Sequence, residues 1–526
     1  MYPQHISTTI AALVEKGTLA PDAILNTLSQ RIKDFGILRG EELPHLRKNF
    51  NSLCTNDNGT EIITQSAFIS LLQTAGVLPP SMAQAGALIY NSLLYLSQAP
   101  FYDSLSLPTH LTFDGLLRAL VWTDSERSRP VYEESIDTRT RAPADTRRLI
   151  FQSLATTCDG KKLPFDAEFA RVQAERRAFD FTGVLNGDSW KVYAKTNYDE
   201  DGDEMFHDLL DVLYVVSQPP QVGRGGVPRD GFREFAKEFR GEQPERLHNL
   251  SIPQDEFQAL VKMLLVTQFG KPVAQIEQDA DLDRVADCVV RAFAQVPGMG
   301  ITWEMFNQAI NKTPELFRGY HRLLSSLYKT YDENDTKTPL TPPKLGSIAT
   351  LPVFSQLGMI LIETLSFPDL QLHKHYDLDE NMSTTNVAAL AEQITTIPAE
   401  EAVIILLISG RLTQKNEKVV FGYHLPWYDS SDKEGRNHCL LFQLSPVHDM
   451  FRGYNAERPG FKIDQNGSLI FGEKGNGVAL VLERELKRMA VFHSVSSGNE
   501  IYGATSWRGD WEMDVQVEEI EMWLEV

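Results

Sequence analysis

Apolar residues recur at helical spacing up to about residue 330 and at strand spacing after about residue 350. Residues 8–38 read as two amphipathic helices. Ile10, Leu13 and Val14 share one face of the first, and Ile24, Leu28 and Ile32 share one face of the second. Pro21 falls in the first turn of the second helix, where a missing N–H does no harm. The same spacing predicts helices over 65–74, 83–96, 113–121, 146–154, 205–216, 254–268, 281–295 and 303–326. Beyond them, the continuous apolar run 402–409 fits a strand buried on both faces. Shorter strands are predicted at 419–424, 439–444, 468–471, 478–482 and 489–493, separated by Gly, Asn or Asp, with helical patches at 353–365 and 385–394. In the last segment Trp511, Met513, Val515 and Val517 alternate with Glu512, Asp514, Gln516 and Glu518. The adjacent pair Glu518-Glu519 then breaks the period, as a bulge would, before Ile520 and Met522. Helices first and strands in quick succession afterwards predict an α+β chain with an antiparallel sheet or sandwich, not a wound parallel sheet.

Three breaks divide the chain. Residues 125–147 are charged and polar, and 218–231 begins Gln218-Pro219-Pro220-Gln221-Val222-Gly223, so both read as exposed loops or domain seams. Residues 332–346, with Pro339, Pro342 and Pro343, read as a linker. The organisation expected is a helical region over 1–124, a polar linker over 125–147, a second helical region over 148–331, the Pro-rich linker over 332–346, and a C-terminal domain over 347–526.

Composition narrows the function classes. The chain has 526 residues, with 50 Lys and Arg against 71 Asp and Glu, a formal charge of −21. That excess repels a phosphate backbone and argues against direct contact with nucleic acid. The longest apolar run is far shorter than the roughly 20 residues of a membrane-spanning helix. The start, Met1-Tyr2-Pro3-Gln4-His5, lacks the pattern of a signal peptide, and Tyr2 stands where N-myristoylation needs glycine. Cys54, Cys158, Cys288 and Cys439 are far apart, as in a chain with reduced thiols, and a cytoplasmic location is expected.

Several stretches have the spacing of chemistry, and each has a plainer reading. Asn197, Asp199, Asp201, Asp203 and Asp208, with Gly202 at the sixth position, have the spacing of an EF-hand loop. Glu204 stands where that loop is usually apolar, and Asp208 is short for bidentate ligation, so an acidic helix start is expected. Residues 54–65, around Asn56-Asp57-Asn58-Gly59 and flanked by Phe50 and Phe68, read as an EF-like helix pair without calcium. Ser445, His448 and Asp449 carry the residue types of a hydrolase triad, but three members within five residues cannot easily form a relay. His373-Lys374-His375 lacks a companion carboxylate motif and reads as a polar surface stretch. Gly472, Gly475 and Gly477 precede a strand, not a helix, so they are no dinucleotide fingerprint. Cys439 opens an apolar strand, which predicts a buried, inert thiol, although His438 and Arg436 lie beside it. No catalytic, cofactor-binding or metal-ligating residue is assigned.

The C-terminal third resembles the TLDc domain. The residues that carry the likeness are the paired runs 402–409 and Val419-Val420-Phe421-Gly422-Tyr423, then Pro426-Trp427 and Cys439-Leu440-Leu441-Phe442-Gln443-Leu444. Leu469-Ile470-Phe471-Gly472, Val478-Ala479-Leu480-Val481-Leu482 and Val517-Glu518-Glu519-Ile520-Glu521-Met522-Trp523 complete it. Gly422 is expected to permit close approach inside a sheet, and Trp523 to cap a buried edge. Leu444-Ser445-Pro446-Val447-His448-Asp449, Trp507-Arg508-Gly509-Asp510 and the helical stretch 203–214 resemble the fungal restriction-of-telomere-capping branch. The resemblance implies a β-sandwich with flanking helices behind a helical, EF-hand-like region. It implies a non-enzymatic interaction protein with no cofactor, whose partner is the vacuolar proton-pumping ATPase, reached peripherally, and whose link to telomere phenotypes is indirect. The competing expectation is an oxidative-stress protein with its own peroxide-reactive or weak hydrolytic chemistry. After residue 350 there are 26 acidic against 14 basic residues, a net charge of −12, which predicts an acidic face along 512–525.

Overall fold

The computed structural model describes residues 3–101, 108–132, 143–157, 166, 168–169, 172, 205–218, 227–241, 246–269, 274–277, 279–329, 345–361, 365–378, 386–397, 402–427, 439–453, 460–495 and 498–525. The chain forms two compact units that interleave in sequence. One comprises Met1–Leu260, Val296–Asn307 and His321–Glu333; the other comprises Val261–Gln295, Gln308–Tyr320 and Asn334–Val526. The boundary expected at 332–346 is therefore incomplete, because two helical stretches before it belong with the C-terminal strands.

The first unit is helical with short strands between its helices. After the helix Glu42–Leu53 come β1 (Thr55–Asp57) and β2 (Thr60–Ile63), then the helix Gln65–Thr74. β2 also pairs antiparallel with β3 (Leu111–Thr112), which leads directly into the helix Phe113–Trp122. Thr64, just after β2, and Thr112, the last residue of β3, cap the following helices, accepting from Ala67 N at 3.3 Å and Gly115 N at 3.1 Å. The pattern returns where β4 (Ser251–Ile252) pairs with β5 (Ile301–Thr302), and Thr302 accepts from Met305 N at 3.3 Å. Aromatic pairs fill the interior, among them Phe50 with Phe113 at 5.5 Å and Phe151 with Trp303 at 5.5 Å. The stretch 125–147 departs from the expected exposed loop. Ser125–Tyr132 is helical, with Val131 and Tyr132 buried and Tyr132 lying 5.0 Å from Trp122. Its charge is used locally: Arg127 forks onto both oxygens of Glu42 at 2.8 and 2.9 Å. The helix predicted over 303–326 is two, Trp303–Ile310 and Arg318–Ser325, because Pro314 cannot continue a helix.

The second unit is built on one ten-stranded antiparallel sheet. Its strands are β6 (Leu370–Asp377), β7 (Val403–Leu412), β8 (Lys418–Leu425), β9 (Leu440–Ser445), β10 (Asp449–Arg452), β11 (Phe461–Ile463), β12 (Leu469–Glu473), β13 (Asn476–Leu482), β14 (Arg488–Ser494) and β15 (Trp511–Glu525). The order is β10-β9-β8-β7-β15-β14-β13-β12-β11, with β6 on β15 in line with β14. The two halves of the sheet face each other across a shared core, in which Tyr423 of β8 lies 4.7 Å from Phe471 of β12. This is a sandwich, as expected. The run 402–409 becomes β7, buried along both faces from Val403 to Gly410.

β15 is the central strand, which corrects the expectation that Trp523 caps an edge. The expected bulge is present: pairing with β7 skips from Val517 to Glu519. It changes the parity of the strand, so Val515 and Val517 point into the core before it and Ile520, Met522 and Leu524 after it. Trp523 then falls on the opposite face, fully buried, with its ring edge-on to Phe354 at 5.1 Å. The helix Leu351–Leu361 that carries Phe354 is buried along its whole length. Gly422 admits a ring as well as a backbone, since a Cβ there would run into the Phe442 ring on β9 and meet Leu406 O on β7 at 2.9 Å. Gly422→Ala is therefore expected to destabilise the C-terminal unit by roughly 1–3 kcal/mol through overpacking, read as a lower urea midpoint.

Candidate functional site

Two segments distant in sequence meet at Asp449. β9 ends at Ser445, and the chain turns through Pro446 to restart as β10 at Asp449, opposite Gln443. From the other half of the sandwich, a single 3₁₀ turn at Ser506–Arg508 delivers Arg508 just before β15. Arg508 Nη1 donates to Asp449 Oδ2 at 3.1 Å and to Gln443 Oε1 at 2.7 Å. The Thr505 hydroxyl and the Met450 N–H donate to Asp449 Oδ1 at 2.8 and 2.9 Å. Lys312 Nζ stands 3.9 Å from the same carboxylate and donates to Met450 O at 2.7 Å. Burial pushes the Lys312 ammonium and the Arg508 guanidinium below their ordinary pKa values, and the Asp449 charge opposes that in both.

Arg508 lies over the Trp511 ring at 4.6 Å, and His493 stacks on the same tryptophan at 4.9 Å. His493 Nε2 accepts from Thr505 N at 2.9 Å, so its proton sits on Nδ1 and is donated to Gly509 O at 2.8 Å. The imidazole is neutral and fixed in one tautomer, and burial pushes its pKa down. The cluster thus ties β9 and β10 to the segment that launches β15.

The triad-like residues do not form a relay. Ser445 donates its hydroxyl proton to Lys418 O at 2.9 Å. His448 accepts at Nδ1 from Gln356 Nε2 at 3.0 Å, and Gln356 also donates to Leu444 O at 2.8 Å. Asp449 faces the Arg508 cluster instead.

A second buried carboxylate lies on β15. Glu521 is fully buried, and its Oε1 accepts from the N–H groups of Ser347 and Ile348 at 2.6 and 2.9 Å. Oε2 accepts from Ala349 N at 3.1 Å and from Trp523 Nε1 at 3.0 Å. Gly346 is required beside it, because a Cβ at 346 would run into the carboxylate. The last strand therefore clasps the turn that opens the domain at residue 346. A profile of the TLDc domain matches residues 346–525, beginning and ending at this clasp.

Residues 346–525 are a TLDc domain. The whole chain is similar to proteins named restriction of telomere capping protein 5. The one from Leptosphaeria maculans is 24% identical over 597 aligned residues, covering 96% of this chain and 89% of the relative. The one from Sordaria macrospora is 23% identical over 472 residues, covering 78% of this chain and 71% of the relative. The one from Colletotrichum graminicola is 21% identical over 584 residues, covering 96% and 88%.

His375, Glu519 and Glu521 of the TLDc domain gather within metal-ligand range of one another. Each oxygen of Glu521 already accepts two N–H donors, so a metal there would have to displace backbone bonds. Glu519 is engaged by Ser347 Oγ and by His375 Nε2, the latter at 3.3 Å. The acidic face expected along 512–525 is correspondingly narrower. Glu512, Asp514 and Gln516 are exposed; Glu518 accepts from Arg411 Nε at 2.9 Å, and Glu525 accepts from Ser366 N at 2.9 Å. Cys439 is 1% exposed, with the Tyr423 hydroxyl donating to its sulfur at 3.7 Å, while His438 and Arg436 lie outside the described residues. Burial also raises the pKa of the Cys288 thiol, which matches an inert core cysteine.

In the helical unit, Asn197 to Asp203 lie outside the described residues. Asp208, at the end of that loop, is buried and accepts from Arg148 Nη2 at 2.7 Å. At 54–65 the side chains serve the hairpin: Asn56 Oδ1 accepts from Gly59 N at 2.8 Å, and Asn58 donates to Asp57 at 3.1 Å. Sequence reasoning found the two segments that meet at Asp449 but not their meeting, nor Lys312 and Thr505. It also missed the role of Glu521, for which an acid set between the core residues Ile520 and Met522 and two before Trp523 was the available signal.

Glu521→Ala is expected to cost about 3–5 kcal/mol, because four N–H donors, three of them buried, lose their acceptor together, and Glu521→Gln to cost less. Denaturant unfolding of the two variants against the parent checks the order. A second expectation concerns pH. Burial holds His448 down to about 4, against 6.5 when unfolded. The folded ring stays neutral while the unfolded one takes up a proton, so this contribution is complete above about pH 6.5 and is lost as pH falls toward 4. His448→Gln should flatten the stability–pH curve in that window by up to about 1.4 kcal/mol per pH unit.

Proposed function

We propose that this chain is a non-enzymatic interaction protein whose TLDc domain binds the peripheral sector of the vacuolar proton-pumping ATPase and shifts its assembly. The reading rests on the TLDc resemblance. The observation that carries it here is the exposed strip Glu512, Asp514 and Gln516 at the start of β15, where neighbouring acids such as Glu518, Glu521 and Glu525 are engaged within the domain. A solvated acidic strip on a rigid central strand suits a basic partner surface, with association steered by charge. Greater affinity for one assembly state than for another would move the balance between them without any bond being made or broken.

Among the described residues no helix is long and apolar enough to cross a membrane. On this reading the protein works in the cytoplasm and reaches the vacuole through its partner. A link to telomere phenotypes, suggested by the name of the similar proteins, would then be indirect, because a chain of net charge −21 is repelled by a phosphate backbone.

The full chain used as bait in a fungal lysate is expected to retain pump subunits. Recovery of none, from oxidised and unoxidised cells alike, overturns the proposal. In the reconstituted pair, Glu512→Lys with Asp514→Lys should slow association severalfold and remove most of its dependence on ionic strength, with little change in dissociation.

A further inference from the structure

The His373-Lys374-His375 stretch lies on β6, a strand that the hydrophobic pattern did not reveal. β6 spans eight residues, pairs along one side with β15, and has no strand on its other side among the described residues. Among the described residues no backbone bond from 371–376 to another segment supplements that ladder, and Leu370 N donates to Phe367 O at its start. About every second N–H and C=O of an edge strand points outward, so β6 presents a row of donors and acceptors roughly 26 Å long at 3.3 Å per residue. The other two edges differ. β10 has four residues, and Gly503 N already donates to Arg452 O at its end; β11 has three.

The side chains on β6 favour one kind of occupant. Five consecutive residues, Gln371 to His375, are exposed, and Leu372, at 36%, offers an apolar contact for a cross-strand partner. Lys374 is the one full positive charge on the strand, His375 faces Glu519 of β15 at 3.3 Å, and Asp377 at the far end is the only acid of β6 itself. Opposite His373 the ladder with β15 shifts between Met522 and Trp523, so β6 carries a bulge there. A lysine and a bulge at an edge keep identical edges from pairing, since two copies would set like charges against each other. The same charges attract a strand of opposite sign, and a repulsive element against the wrong partner is how an edge becomes selective.

We propose that β6 is a docking edge for an extended acidic segment of a partner protein, which adds a strand to the TLDc sheet beside β15. Backbone bonds along the edge supply affinity, and His373 and Lys374 supply selection for acidic side chains. The inference does not depend on the identity of the partner. It also uses a different surface from the acidic strip, so either can fail alone.

The test uses the full chain and a fluorescent eight-residue peptide alternating glutamate with valine. Three further probes are its lysine-for-glutamate counterpart, the acidic peptide methylated at alternate backbone nitrogens, and the H373E/K374E variant of the protein. The acidic peptide should bind at least about tenfold tighter than the lysine peptide, and charge reversal of the protein should invert that order. Methylation should weaken binding by about tenfold or more, because it removes several backbone bonds while keeping every charge. Hydrogen exchange should show new protection in residues 371–376, and an unchanged melting temperature for the variant would show that the edge itself was altered. Equal binding of the acidic and lysine peptides, indifference to methylation, or protection confined to another segment overturns the proposal. So does self-association of the chain through β6 without peptide.

Discussion

Everything in the C-terminal unit depends on a charge that must be buried for the sheet to close. Glu521 sits on the face of β15 that the bulge at Glu518 turned away from the sandwich core, so a carboxylate is taken out of water beside Trp523. Such burial is unfavourable unless every lone pair finds a donor. The donors are three consecutive N–H groups of 347–349, about 170 residues away in sequence, and the indole of Trp523. The first turn of the domain is thereby committed to its last strand. That arrangement is non-local, and it makes the closing residues a requirement of the fold more than an appendage to it.

The Asp449 cluster works by the same logic between the halves of the sandwich. A buried pair of this kind adds little net stability compared with apolar residues of equal volume, because desolvation offsets the Coulomb attraction. What it adds is position. Gln443, Asp449, Thr505 and Arg508 satisfy one another only when β9, β10 and the turn before β15 are in register. Stacking of Arg508 and His493 on Trp511 then sets where β15 begins. With its tautomer fixed by a backbone donor and a backbone acceptor, His493 has no nitrogen left for proton transfer.

How far the sequence revealed this depends on what each residue contributes to its pattern. The longer buried strands were legible because burial on one or both faces leaves a period, and even the parity change in β15 showed as an adjacent pair of glutamates; the four-residue β10 was too short to show one. Helices with a long apolar stripe were legible; those that bury only two or three residues, Glu42–Leu53, Ser125–Tyr132 and Arg233–Arg240, were not, and at 303–326 Pro314 interrupts a pattern that looks continuous. β6 was illegible because an exposed edge imposes no hydrophobic period: Gln371 to His375 can all be polar or half-exposed and still form a strand. The four-residue β2 and the two-residue β3, β4 and β5 were too short for periodicity. They did carry a local signal, an apolar residue followed by a capping threonine at Ile63-Thr64, Leu111-Thr112 and Ile301-Thr302. The Asp449 and Glu521 sites were hidden for a different reason. Their meaning lies in pairings between distant segments, which no local pattern encodes.

The net charge of the TLDc half is clarified by the same distinction between engaged and solvated groups. Glu519, Glu521 and Glu525 close turns, Asp449 orders a junction, and Glu518 answers Arg411, so these acids are not available to a partner without cost to the fold. What remains outward on β15 is the short strip at Glu512 and Asp514, while the strand beside its far end carries Lys374 between two histidines. One sheet thus offers an acidic strip and a basic edge within the length of its central strand. Two patches of opposite sign on a rigid strand constrain orientation as well as affinity, since a partner that satisfies both can do so in one pose only. A surface organised in that way is suited to holding a partner in a defined geometry through charge and backbone pairing.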